Sequence, residues 1–430
     1  MSKLTARWAG VGLAGLLLIA GLLRFWQLGQ FNTLVFDEAH FAKFAYQYWQ
    51  HQPVFDVHPP LGKYLIAAGL WLGQPLAELA ALPMHEQLGQ PLAAISYRWV
   101  SALIGTLTPP VVAGIAWQIS AGSPLLQRQL FALLAGSFVA IDGLFVVESR
   151  YALINIHLVF WGCLSHWLWL RGAGRDRALA GLALGASLAT KWSGLPFILG
   201  LLIHDCHADT LYSNMRSVWS RMWNKGWTRG LLLVALPLLT YGLLWLPHLQ
   251  TSPGLWRIHQ QILRFHLQLD SAAHAYCSPW YSWPLLLRPV AYWYEKAANG
   301  LYYDVHGLGN PVLWWLSVGA LVALVTGLRL EGQRCSRYIL LNYALSWLPW
   351  ALVSRCTFLY HYLPAAVFGF LALAWLLSQW LISPRRAWRL AAIAMLIAIA
   401  AAFWFWLPVQ LGLPLSQAEL RSRFWLNSWQ

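Results

Sequence analysis

Two adjacent carboxylates, Asp37 and Glu38, stand in the run Phe-Asp-Glu-Ala-His, and Asp56-Val-His-Pro-Pro-Leu-Gly-Lys63 follows within the same stretch of chain. Paired carboxylates suit general-base activation of a hydroxyl, or cation binding. The plainer reading of Asp37 is an N-terminal helix cap, a place aspartate favours. Two consecutive prolines stop a helix and fix the backbone, which holds Asp56 and His58 at a defined place beside the next helix. Further on, Asp142 and the run Glu148-Ser-Arg150-Tyr bracket one end of an apolar stretch. Arg150 either pairs with one of those acids or holds a phosphate in its planar fork. Lys191, in Thr-Lys-Trp-Ser-Gly, and Arg98, at the start of another apolar stretch, pose the same choice between phosphate binding and snorkelling to lipid headgroups. The segment from His274 to Pro289 carries Trp280, Trp283 and Arg288 in the densest cluster of aromatics and prolines. Such a cluster suits sugar faces and peptide backbones, and equally an interfacial anchor.

The elements that must position these groups follow from composition. Of 430 residues, 59% are hydrophobic, 15% aromatic and only 10% charged. Soluble domains carry about 25% charged residues, so this chain could not cover a water-soluble globule of its size. An ordinary cytosolic enzyme, a disordered tail and a secreted disulfide scaffold are excluded; a polytopic, all-α membrane protein remains. Apolar runs near residues 8–28, 96–118, 130–147, 153–170, 178–190, 194–204, 230–249, 311–328, 338–353, 359–381 and 390–407 predict about eleven spans, the first uncleaved, with the pair around Lys191 readable as one bent helix. With the N-terminus inside, the inner loops receive Lys3, Arg7, Arg128, Arg171, Arg175, Arg177, Arg216, Arg221, Lys225, Arg229, Arg329, Arg334, Arg337, Arg385, Arg386 and Arg389, against the acids Asp176, Asp205, Asp209 and Glu331. That is the positive-inside pattern, and it accounts for much of the net charge of +14 without invoking nucleic acid, since the bases form no continuous face.

Residues 1–430 thus read as a single membrane domain with two long outer segments, about 29–97 and about 250–310. Leu255, Ile258, Ile262, Phe265 and Leu269 recur at helical spacing and predict a helix lying along the membrane surface. The five cysteines form no CxxC and no metal cluster. Cys277 and Cys356 share the outer side; one bridge between them is open, and two free thiols is the favoured reading. Asp37, Glu38, His58, Glu148, Arg150, Lys191, His274 and Arg288 all fall on or at the boundary of the outer face. Bases and phosphate-binding cations on one membrane face point to chemistry on a lipid phosphate. A transporter or flippase would instead gather its ionisable groups around a midplane cavity between broken helices.

At these residues the chain resembles the protein O-mannosyltransferase family, polyprenyl-phosphate-mannose-dependent membrane enzymes of the GT-C fold. The anchors are Phe36-Asp-Glu-Ala-His-Phe41, Asp56-Val-His-Pro-Pro-Leu-Gly-Lys63, Arg98-Trp-Val-Ser-Ala-Leu-Ile-Gly105, Val147-Glu-Ser-Arg-Tyr151, Thr190-Lys-Trp-Ser-Gly194, Ser278-Pro-Trp-Tyr-Ser-Trp-Pro284, Gly309-Asn-Pro311 and Tyr360-His-Tyr-Leu-Pro364. The resemblance implies transfer of mannose from a polyprenyl-phosphate carrier to Ser or Thr of a protein emerging outside, with inversion in one displacement. It implies Asp37 as base, Glu38 as orienting partner, and Arg98, Arg150 and Lys191 as candidates for stabilising the departing phosphate. His58 and the Trp280–Trp283 segment would shape the sugar and peptide site; Asp56, Asp142, Glu148, His274 and Arg288 complete the candidate set. It implies no bound metal or other cofactor, an N-terminus inside and a C-terminus outside. Asn155 and His157 stand where many relatives place an acid, and Asp142 is a candidate to take part of that role. The second outer segment is too short for the β-trefoil domain of the eukaryotic enzymes, which points to a bacterial-type member in an inner membrane with its site facing outward. Related GT-C enzymes move other sugars from similar carriers to lipids or glycans, the alternative within the same fold.

Overall fold

The computed structural model describes residues 3–87, 89–210, 226–252, 254–268, 274–327 and 333–430. Arg216, Arg221, Lys225, Arg329, Glu331 and Leu269, used in the readings above, lie outside the described residues. The chain opens with α1 (Lys3–Phe25), and the first outer segment then forms α2 (Glu38–Trp49) and α3 (Leu61–Leu79). There follow α4 (Ala94–Ile119), α5 (Leu125–Ile141), α6 (Gly143–Arg150), α7 (Asn155–Arg171), α8 (Gly174–Thr190) and α9 (Leu195–Thr210). Next come α10 (Gly226–Leu249) and α11 (Leu255–Gln268). The chain closes with α12 (Pro311–Val325), α13 (Gln333–Trp347), α14 (Leu363–Leu381), α15 (Arg386–Leu411) and the short α16 (Gln417–Ser422). Each apolar run falls on one of these helices. Four helical stretches, α4, α10, α14 with its preceding turn from Leu359, and α15, are long and apolar enough to cross a bilayer alone; the pair α5–α6, bent by 57°, makes a fifth.

Their surroundings differ in a way that sorts centre from rim. Helix α14 is buried from Leu363 to Ser378 on every face, so an all-round apolar helix here is a core element. Helix α4 packs against α1, α3, α5 and α7. By contrast α10 turns Leu238, Leu239, Leu243 and Leu246 outward, and α15 turns Ile393, Ile397 and Trp404 outward. Apolar side chains with no protein partner suit a lipid-facing wall.

The fold is not purely helical. Strands β1 (His85–Gln87) and β2 (Gln90–Leu92) form one antiparallel pair, and β3 (Val290–Lys296) and β4 (Tyr302–Gly307) another. The second hairpin follows from its sequence: aromatic and β-branched runs flank Asn299-Gly300, and Gly300 takes φ +81°, a conformation that favours glycine. Helix α11 forms as its periodicity predicts, but it is docked on protein as well as amphipathic. Ile258 and Ile262 are buried against Trp245 of α10, and His266 Nε2 lies 3.0 Å from the Val57 carbonyl. A second correction concerns sulfur. Cys277 and Cys356 are joined in a disulfide, whereas Cys163, Cys206 and Cys335 are free. The partners stand 79 residues apart in sequence, and pairing of the flanking backbone brings them together. The Ser278 N–H donates to the Thr357 carbonyl, and the Thr357 hydroxyl to the Ser278 carbonyl, both at 2.8 Å.

The bend between α5 and α6 leaves helix ends inside an apolar environment, where orphan backbone groups are costly. Two buried charged residues satisfy them. Arg24 of α1 donates to the carbonyls of Val139 and Ala140 at the end of α5 and to the Ser149 hydroxyl. Asp142, in extended conformation at the break, accepts from the N–H groups of Leu144 and Phe145 through Oδ1. Its Oδ2 accepts from the Asn310 N–H at 2.9 Å and the Trp314 indole at 2.7 Å, tying α6 to the start of α12. Asp142→Ala removes a cap and orphans four buried donors; we expect a loss of several kcal/mol, on the order of 3, read as a marked drop in melting temperature of the detergent-purified protein.

Candidate active site

The site is organised around a turn where the chain leaves α1. Phe36 has φ +52°, in the left-handed region that only a well-held turn imposes on a phenylalanine. The turn is closed by Glu38, whose N–H donates to the Val35 carbonyl while its Oε2 accepts from the Val35 N–H at 2.9 Å. Glu38 is fully buried and engaged on both oxygens. Oε1 accepts from Arg98 Nε and from the Ala152 N–H, each at 2.8 Å; Oε2 also accepts from Arg98 Nη2 at 2.7 Å. The remaining Arg98 N–H groups go to the carbonyls of Leu28, Phe31 and Thr33. All five guanidinium donors therefore have protein acceptors.

This placement separates the two carboxylates of the pair. Glu38 and Arg98 hold the turn that presents Asp37, and their side-chain polar atoms all have protein partners. Asp37 projects from the same turn. It stands at the start of α2 without capping it, which removes the cap reading. Among the described residues its carboxylate has no hydrogen-bond donor and no ion-pair partner. Lys191, His40 and His274 lie within electrostatic reach and Asp56 opposes them, while desolvation, the dominant effect, raises the Asp37 pKa above the ordinary carboxylate range.

A polar chain forms the neighbouring wall. Tyr292 of β3 donates to Glu148 Oε1 at 2.5 Å, Asn155 Nδ2 donates to Glu148 Oε2 at 3.1 Å, and Lys191 Nζ donates to Asn155 Oδ1 at 3.0 Å. Burial and the Glu148 charge push the Tyr292 phenol well above its usual pKa, so it stays a donor. The unusual Asn155 thus bridges the acid and the lysine, the two groups it lies between. Lys191 sits at the break between α8 and α9, with its Nζ 5.5 Å from the centre of the Tyr360 ring. Tyr360 also meets Phe36 at 6.2 Å, which ties the lysine to the turn that presents Asp37.

The other candidates divide as follows. Asp56 is ion-paired with Lys63 and accepts the Val57 N–H at 2.7 Å, so it fixes the Pro-Pro turn at the start of α3. His58, from that turn, faces Phe41 and His266; burial, with Lys191 and Lys63 nearby, holds its pKa well below the usual value and the ring neutral. His274 packs at 5.1 Å on Phe358, at the rim near Asp37. Arg150 donates through Nη1 to the carbonyls of Leu23, Arg24 and Trp26 at and just beyond the end of α1. Asp142 belongs to the α5–α6 bend described above. Trp283 is a core residue, its indole bonded to the Ser278 hydroxyl, and Trp280 packs on Trp347. Arg288 joins Ala275 to Ser428 through their carbonyls.

One cation was missed. Arg355, half-buried beside Cys356, donates to the Cys356 carbonyl at 3.0 Å and lies within electrostatic reach of Lys191. Neither cation has an acidic ion-pair partner among the described residues. The signal was available: an arginine in a short loop that the expected topology puts outside runs against the positive-inside bias. Tyr292 and His266 carried no motif of their own.

A buried turn presents one carboxylate without a donor among the described residues, on a bundle of helices apolar enough to cross a bilayer, and comparison with known proteins names the class of membrane transferase to which such a chain belongs. A family model described as dolichyl-phosphate-mannose-protein mannosyltransferase matches residues 15–252. A second, described as the C-terminal four TMM region of protein-O-mannosyltransferase, matches residues 252–429. The chain belongs to the protein O-mannosyltransferase family. The polyprenol-phosphate-mannose–protein mannosyltransferase of Mycobacterium tuberculosis is 28% identical, with 98% of this chain and 92% of the relative covered. That of Mycolicibacterium smegmatis is also 28% identical, over 96% of this chain and 91% of the relative. In fold, the chain is similar to the Saccharomyces cerevisiae protein O-mannosyltransferase Pmt1-Pmt2 complex bound to the sugar donor, with a TM-score of 0.83 at 17% identity, covering 98% of this chain and 92% of that one. ArnT from Cupriavidus metallidurans bound to undecaprenyl phosphate is more distant, with a TM-score of 0.52 at 14% identity over 94% and 74% of the two chains.

The division of labour between the adjacent acids is testable. Glu38→Gln puts an amide N–H against donors already in place and leaves Arg98 buried without its counter-charge. Breaking such a pair costs about 3–5 kcal/mol. We expect a strong fall in folded yield and melting temperature, whereas Asp37→Asn leaves both near wild type.

Proposed function

We propose that this protein moves a mannosyl group from a polyprenyl-phosphate-mannose donor to Ser or Thr hydroxyls of an acceptor protein at the outer face of the membrane. The observation that carries this reading is the contrast between Asp37 and its buried neighbours. Glu38, Asp56, Asp142 and Glu148 all have protein donors, while among the described residues Asp37 has none and lies within reach of Lys191, which like the neighbouring Arg355 has no acidic ion-pair partner there. A free base opposite free cations is what transfer from a phosphate carrier needs. Family membership and the names of the mycobacterial relatives support mannose and a protein acceptor.

In this mechanism Asp37 takes the proton of the acceptor hydroxyl as its oxygen attacks the sugar C1. The bond from C1 to the phosphate oxygen breaks on the opposite side, so one displacement inverts the anomeric centre. Negative charge grows on the departing phosphate and is met by Lys191 and Arg355, pre-positioned donors that act where charge develops. His58, neutral and beside Lys191, offers a ring nitrogen to a sugar hydroxyl. No step calls for a metal or another cofactor. The helices make about eleven spans, with the N-terminus inside, the C-terminus outside and the site on the outer side of an inner membrane. Arginine-rich inner loops support that orientation, as does a disulfide at the Asp37 end, since disulfides persist away from the reducing cytosol.

Asp37→Asn keeps the shape of the side chain and removes the base; kcat/KM for label transfer from polyprenyl-phosphate-mannose to a Ser/Thr-rich peptide falls roughly 10²–10⁴-fold. Label transfer at near-normal rates in that variant overturns the assignment. The pH profile gives a second check. Only deprotonated Asp37 accepts a proton, and burial raises its pKa, so kcat/KM rises with pH along a limb placed above the ordinary carboxylate range. A limb within that ordinary range assigns the base elsewhere.

A further inference from the structure

The disulfide stands at a place that its role in folding does not require. The two segments it joins are already paired by the Ser278–Thr357 hydrogen bonds next to it. Yet the bridge closes on the residue that follows Arg355, and on the segment that carries His274. From Cys356 the chain runs straight into Phe358 and Tyr360. The Phe358 ring lies 5.1 Å from His274 and 5.3 Å from Tyr360. The Tyr360 ring in turn touches Phe36 and lies under Lys191 Nζ. Three residues, Thr357 to Leu359, thus connect one half-cystine to the ring beneath the lysine. The Arg355 guanidinium is itself tied to the bridge, since its Nη1 donates to the carbonyl of Cys356 at 3.0 Å. A guanidinium on so short a loop has its backbone position set by the crosslink.

We propose that the Cys277–Cys356 disulfide is a positioning element for lipid-phosphate binding: it holds Arg355 beside Lys191, and the phosphate site is complete only after these two thiols have been oxidised. This rests on the assignment of Lys191 and Arg355 to the carrier phosphate made above. Closing the bridge takes one proton from each thiol and two electrons from the pair. These pass to a disulfide-class oxidant, which leaves as two thiols. The oxidising step therefore precedes catalysis and belongs to the compartment that the site faces. In chemical terms Arg355 is the phosphate ligand and the disulfide acts through it.

The test uses the full-length protein in detergent, with undecaprenyl phosphate as probe, so that its outcome does not depend on which sugar or acceptor is used. Reduction of the wild type with a phosphine raises the Kd for the probe roughly ten- to a hundred-fold, the worth of one charge-assisted hydrogen bond. Arg355→Ala raises it by a similar factor and then shows no further response to reduction. Cys277→Ser/Cys356→Ser behaves like the reduced wild type and is also unresponsive, which excludes effects at Cys163, Cys206 or Cys335. A general structural role gives a different result: reduction lowers the melting temperature and weakens binding equally in wild type and Arg355→Ala, and that additivity overturns the proposal. So does an unchanged Kd on reduction, or alkylation of Cys277 and Cys356 in the protein as purified. Mannosyl transfer by the oxidised wild type is measured alongside. Loss of phosphate affinity on reduction without any mannosyl transfer would keep the disulfide's role and reject the sugar assignment.

Discussion

The ion pair between Glu38 and Arg98 is the constraint on which the site depends. Both side chains are out of contact with water, and together they make hydrogen bonds to the exit from α1, the turn before α2 and the second residue after α6. Taking two charges out of water is costly unless every lone pair and proton is met. Here every one is met, and the result is a turn in which Phe36 adopts a left-handed conformation and Asp37 is left pointing away from its neighbour. A carboxylate left without a donor among the described residues, next in sequence to one that is fully bonded, is made by geometry rather than by any difference in residue type.

The same logic runs through the other buried arginines. Arg24 and Arg150 sit where helices end or bend in an apolar setting, and their donors go to carbonyls that have no helical partner. Asp142 does the complementary work for N–H groups. In a bilayer no water is present to satisfy such ends, so the protein supplies fixed donors and acceptors instead. Charge in this protein therefore has two uses. Where helix ends must be closed it is hydrogen-bonded to backbone; where the carrier phosphate is proposed to bind, at Lys191 and Arg355, it has no acidic ion-pair partner among the described residues. The polar chain from Tyr292 through Glu148 and Asn155 joins the two regions, since it holds Lys191 at one end and is itself fully bonded at the other.

Much of this was legible in the sequence. The scarcity of charge and the apolar runs located the helices, because a chain that cannot cover itself with polar groups must hide in lipid or in itself. The spacing of Leu255, Ile258 and Ile262 located α11, and Asn299-Gly300 between aromatic runs carried a hairpin signal that the all-helical expectation passed over. The motifs around Asp37, His58, Glu148, Lys191 and Tyr360 identified the family. The free-thiol reading of Cys277 and Cys356 did not hold, because nothing local in either segment shows which distant backbone it will pair with.

What only the tertiary structure decided is which polar groups are already bonded. Asp37 and Glu38 are equivalent acids on the page, and Arg98, Arg150, Lys191 and Arg355 are equivalent cations. The sequence determines their number and the apolar runs they flank, because those follow from hydropathy and charge counted along the chain. Their roles follow from partners brought together across long separations: Arg98 with Glu38, Arg150 with the end of α1, Trp314 with Asp142, Cys356 with Cys277. A hydrogen bond is decided within a few tenths of an ångström in three dimensions, and that information enters only when the helices pack.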